Sequence, residues 1–145
     1  MTKEKLVGSW RLVSFKATAG DKVSYPLGEH PAGYIEITPT RYWVMLVDPT
    51  RKAPAAATLT DAESISLMKS HVAYTGKYDV DPAQTPDGIK ITVYVDAASN
   101  QALTGTNRVL YSRVDGNKMS VKAPVLVVGT TGVTSVVQLE YAKAE

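Results

Sequence analysis

The side chains of this chain best suited to moving a proton are His71, Tyr74, Tyr78 and Glu36. An imidazole facing a cavity gives or takes a proton near neutral pH, so His71 is a candidate general acid or base. Tyr74 and Tyr78 would orient a bound molecule and donate hydrogen bonds to it. Glu36, enclosed by apolar walls, would have the raised pKa that a proton shuttle needs, with Lys16, Arg41 or Tyr34 as partners. Each has a plainer reading. His71 reads equally as a solvent-facing side chain in the last turn of a helix, which the pattern favours. Glu36 stands between Ile35 and Ile37, the natural core residues of its strand, and this favours an outward carboxylate. His30, between Glu29 and Pro31, is a turn residue.

A second set of residues suits the wall of a ligand cavity. Eight Tyr stand against a single Phe, and a tyrosine ring gives an apolar wall with a hydroxyl to orient a guest. The candidates are Tyr34, Trp43, Met45, Met68, Tyr94 and Tyr111, with Asn107 and Gln138 as polar contacts. Alternation alone leads us to expect about half of the rings at the cavity. Other chemistry is excluded more firmly. With two His and no Cys, a thiol nucleophile, a Cys-ligated zinc and a His-rich metal or haem site are all disfavoured. No nucleophile elbow surrounds a serine, and no glycine-rich phosphate loop is present. We therefore expect neither a metal nor a cofactor.

These residues must be positioned by strands. Turn signals recur at Ala19-Gly20-Asp21, Pro26 to Pro31, Thr38-Pro39-Thr40, Asp87-Gly88, Asp115-Gly116-Asn117 and Thr130-Thr131-Gly132. Between them lie segments rich in β-branched and aromatic residues, read as strands near 8–17, 22–25, 33–38, 41–47, 74–81, 89–96, 106–114, 117–123 and 134–142. One segment departs from this pattern. Thr60-Asp61-Ala62-Glu63 is a capping box, and Ile65, Met68 and Val72 follow at helical spacing, which predicts an amphipathic helix over 60–72. At 145 residues, 1–145 reads as one domain, all-β with one short helix inserted mid-chain. The net charge of +2 comes from scattered basic residues, and Arg51-Lys52 is their densest cluster. That is not the basic stripe with interleaved aromatics that binds nucleic acid. No apolar run has secretory or membrane-spanning length, from which we expect a cytoplasmic protein.

Gly8-x-Trp10 opens the first strand, and Pro26-Leu27-Gly28-Glu29 precedes Gly33-Tyr34. Ala73-Tyr74-Thr75-Gly76-Lys77-Tyr78 and Leu103-Thr104-Gly105-Thr106 follow in order. Together these landmarks resemble the lipocalin-like domain family of small bacterial and fungal proteins. The resemblance implies a closed antiparallel up-and-down barrel of about eight or nine strands with an interior cavity. It also implies that Trp10 closes one end, with an arginine stacked across it. Arg108 and Arg113 are the candidates for that partner, and Arg108 is preferred. Such a barrel is expected to bind a small hydrophobic or aromatic molecule. The alternative is a cofactor-free isomerase, cyclase, hydrolase or lyase using His71, Tyr74, Tyr78 and Glu36. A third reading is an interaction or scaffold protein, in which the apolar 123–137 stretch forms a homodimer edge. Two core strands are the plainer account of that stretch.

Overall fold

Alternating β-branched and aromatic residues broken by glycine and proline turns dictate a meander of antiparallel strands, and a meander this long removes its exposed edges by closing on itself. The structure, a computed structural model, describes residues 3–127 and 134–144. Its strands are β1 (Gly8–Ala19), β2 (Lys22–Ser24), β3 (Ala32–Ile37), β4 (Arg41–Val47), β5 (His71–Thr85), β6 (Gly88–Ala98), β7 (Asn107–Asp115), β8 (Lys118–Val127) and β9 (Thr134–Lys143). Neighbours pair in the order β2-β1-β3-β4-β5-β6-β7-β8-β9, and β1 also pairs with β9. Eight strands therefore close a barrel, and β2 is a short extra strand hydrogen-bonded to the end of β1. The expected all-β lipocalin-like barrel is what the chain forms.

Which residues enter the barrel is set by register. On β4, Tyr42, Val44 and Leu46 point inward, and their cross-strand neighbours on β3 and β5 follow the same parity. On β1 the parity changes. Trp10 and Leu12 are buried, a bulge lies between Leu12 and Ser14, and beyond it Phe15 and Ala17 are the buried residues. One extra residue in a strand moves everything after it to the opposite face. Simple alternation from Trp10 would have sent Ser14 and Lys16 inward.

One end of the barrel is plugged. Trp10 is the largest fully buried side chain, and its Nε1 donates to the Leu6 carbonyl at 2.8 Å. A short 3-10 helix over Lys3–Lys5 brings Leu6 there with no exposed surface. The cation across the indole is Lys143, with Nζ 4.5 Å from the ring centroid while donating to the Val7 carbonyl at 2.9 Å. The expected stack of Arg108 on Trp10 is thus replaced by a lysine from the end of β9. Arg108 stands near the start of β7 and lies over a different ring, Tyr74, at 5.0 Å. An ammonium satisfies the same need, since it meets the indole face and a backbone carbonyl together.

The helix α1 (Asp61–Lys69) lies in the excursion between β4 and β5. The base of that excursion is closed by the Asp48 N–H donating to the Ser70 carbonyl at 2.9 Å. The capping box is complete: the Glu63 N–H donates to Thr60 Oγ1 at 3.2 Å, and the Thr60 N–H to Glu63 Oε1 at 2.9 Å. The backbone N–H groups of Thr60 and Ala55 hold the Glu63 carboxyl below its ordinary value. The helix ends earlier than its apolar spacing suggested. Ser70 caps it, and His71 and Val72 belong to β5. No residue of α1 is buried, and Ile65 and Met68 are exposed. The cap is therefore a main local support. Thr60→Ala is expected to weaken the helix by about 1 kcal/mol, speeding amide exchange in α1 roughly fivefold while the global melting temperature stays put. An equal loss of global stability would show that α1 unfolds with the barrel.

Candidate functional site

Inward-facing residues of the barrel leave a cavity on the side of the core away from Trp10. Its wall is apolar: Phe15, Ile35, Val44, Leu46, Val72, Leu110, Val121, Ala123, Val137 and Leu139. Its polar groups are supplied by Tyr42, Tyr74, Tyr141 and Arg108. The resting cavity is small, about 40 Å³. At about 10–15 Å³ per water, that is room for a few waters. A larger guest has to push side chains outward, and Val72, which is only partly buried, is the natural one to yield.

The polar groups form a set of donors. Tyr42 is 1% exposed, and its hydroxyl has no hydrogen-bond partner. The Arg108 Nε is likewise buried without a partner. Leaving such a donor unsatisfied costs about 1–3 kcal/mol, so both are poised for something that accepts. Burial raises the Tyr42 hydroxyl well above the ordinary tyrosine pKa; Tyr74 adds to the rise and the Arg108 charge opposes it. Burial likewise raises Tyr141, with Tyr42 and Tyr74 adding to the effect. Both therefore stay protonated at neutral pH and can donate. These couplings, with Arg108 over the Tyr74 ring, place the three tyrosines and the guanidinium in one electrostatic neighbourhood.

Of the residues singled out from sequence, Tyr74 and Arg108 lie at this cavity. Tyr78 is buried below it, edge-on to Tyr42 at 6.0 Å, with its hydroxyl donating to the Thr38 carbonyl at 2.7 Å. His71 is partly buried at the start of β5, its Nδ1 2.8 Å from the Leu67 carbonyl. Glu36 lies outside and accepts from the Ser9 hydroxyl. The four residues considered for proton transfer are thus not gathered at one point. Tyr34, Trp43 and Met45 are on the outer face at 54%, 49% and 59% exposure, with Arg41 over the Trp43 ring at 5.8 Å. Tyr94 is exposed and donates to Asp79 at 2.8 Å; Met68 is exposed on α1. Asn107 and Gln138 face solvent, and Gln138 donates to Glu140 at 3.0 Å. Tyr111 is partly buried and does not line the cavity.

Tyr42, Tyr141 and Phe15 are among the lining residues that the sequence reading missed. For Tyr42 the outward Glu36 is a partial signal, usable once the β3–β4 register is known. Glu36 faces Trp43 and Tyr34 faces Met45 across the β3–β4 pair, so an outward Glu36 carries Trp43 and Met45 outward and leaves Tyr42 inside. No such signal existed for Phe15, which depends on the β1 bulge. The apolar 123–137 stretch falls partly outside the described residues. As far as it is described, it forms the end of β8 and the start of β9, paired with each other. Among the described residues, no cluster of three or more His, Asp or Glu is placed to hold a metal ion, and no helix is long and apolar enough to cross a membrane.

The comparisons agree with this architecture. Among curated proteins and solved structures, none matches the chain. A family model described as a lipocalin-like domain matches residues 7–140, from the approach to the Gly8-x-Trp10 turn to the last barrel strand. With that match over most of its length and its strands closed into an eight-stranded barrel, the chain belongs to the lipocalin-like domain family.

Proposed function

We propose that this protein binds a small hydrophobic or aromatic molecule inside the barrel, admitted from the end opposite Trp10. The observation that carries the reading is the lining itself: an apolar wall from seven strands, interrupted only by Arg108 and tyrosine rings. A cavity of this kind, mostly apolar with a few convergent polar groups, is the usual form of a small-molecule site. Binding is preferred over catalysis because the described lining contributes donors, and no carboxylate or imidazole to accept a proton.

The test is a filled cavity. Ala123 is buried and lines the space, so Ala123→Phe places a ring where the guest would sit. Toluene at saturation should raise the melting temperature of the wild type, since a ligand bound only by the folded state stabilises it by mass action. At about a hundredfold excess over Kd the gain is about 2.7 kcal/mol, a shift of several degrees. Ala123→Phe should remain folded, at a cost of about 1–3 kcal/mol for overpacking, and lose that shift. If toluene gives no shift in the wild type and Ala123→Phe is more stable than it, the space is a packing void and the reading fails.

A further inference from the structure

We infer that the molecule bound in this barrel carries an anionic oxygen group, a carboxylate, held by Arg108 and the Tyr42 hydroxyl. The inference rests on the binding reading above and deepens it by naming the ligand class. Its first ground is charge. The Arg108 guanidinium is a cation, and among the described residues no Asp or Glu lines the cavity. Arg108 is half-buried with its Nε out of water and unpartnered, and a guest of opposite charge would pair with it there. The Tyr74 ring, 5.0 Å from the guanidinium carbon, offers partial compensation.

The second ground is the kind of polar atom on offer. Arg108 has donors only, and its Nε is buried and unpartnered. The Tyr42 hydroxyl, 1% exposed and also unpartnered, remains protonated and so donates as well. A neutral amide or alcohol would bring donors of its own into a site already rich in them. A carboxylate brings only acceptors, two oxygens with several lone pairs between them, and matches the planar fork of the guanidinium. The third ground is size. The small resting space must widen for any guest, a short planar acid asks less widening than a long chain, and the apolar wall would take the remainder of the molecule.

Benzoate, benzamide and toluene share a shape and differ in the group that matters, so their affinities measured by calorimetry separate the claims. The wild type is expected to bind benzoate about tenfold or more tightly than benzamide, the difference expected of a charge-assisted hydrogen bond. That preference should vanish in Arg108→Met while toluene binding persists, and should shrink severalfold in Tyr42→Phe. It should also fade as the pH drops through the carboxyl pKa of benzoate, near about 4. Equal affinity of the wild type for benzoate and benzamide, with toluene bound, would overturn the anion assignment and leave the cavity reading standing. Binding of none of the three would overturn both. The wild-type comparison needs no variant, so a poorly folding Arg108→Met leaves the claim open to refutation.

Discussion

Trp10→Ala will destabilise the barrel by about 3–5 kcal/mol, the range for truncating a large buried aromatic. For a domain of this size that is a drop of roughly 10–15 °C in melting temperature. Three contacts would go at once. The indole fills the closed end at 1% exposure, its N–H holds the Leu6 carbonyl, and its face carries Lys143. Leu6 and the turn of chain before it would then lose the surface they pack on. Trp10→Phe separates the effects, because it keeps most of the volume and forfeits only the hydrogen bond and the larger ring. Urea denaturation followed by circular dichroism reads both variants. A loss below about 1 kcal/mol for Trp10→Ala would mean that the plug is not what holds this end shut.

Gly76→Ala is the second large effect and arises in the middle of the sheet. A methyl group built on Gly76 would stand 2.0 Å from the Tyr94 carbonyl oxygen and 2.6 Å from its carbon. These are backbone atoms of β6, so no rotamer change relieves the clash and the β5–β6 pair must part. Gly76 also sits at the irregularity between Thr75 and Gly76, directly across from Tyr42 on β4. A shift there reaches the cavity wall. The expected cost exceeds about 4 kcal/mol, which is outside the ordinary range for single substitutions and will show as insoluble or cooperatively unfolded protein. Gly116→Ala is the control. It occupies the β7–β8 turn at φ +59° with nothing within 4 Å of the new carbon, so its cost is conformational alone, about 1–2 kcal/mol. Equal outcomes for the two variants would refute the close-packing account of Gly76.

Much of the architecture was legible in the chain because local physics decides it. The nine strands lie within a few residues of their expected places, since turn residues and β-branched runs act over a handful of positions. The start of α1 was legible for the same reason: Thr60 and Glu63 satisfy backbone donors within one turn. Its end was not. Val72 continues the helical spacing of Ile65 and Met68, yet pairing with Leu46 draws it into β5. Backbone hydrogen bonds to β4 outweigh the weak preference of a helix that buries nothing.

The candidate site was the harder part. Trp43 and Met45 share one face of β4 and Tyr42 and Val44 the other, and both faces are apolar, so composition does not say which is inside. The partner of Trp10 was equally undetermined, since an arginine on β7 and a lysine at the end of β9 carry the same charge and only the closure of β1 on β9 decides between them. What the sequence by itself determined is the strand and turn order, the capped helix start and the family to which the chain belongs. Only the tertiary structure decided which side chains face the cavity. Facing is a parity, and a single bulge such as the one after Leu12 reverses it for Phe15 and all that follows on that strand, through pairing with a strand more than a hundred residues away.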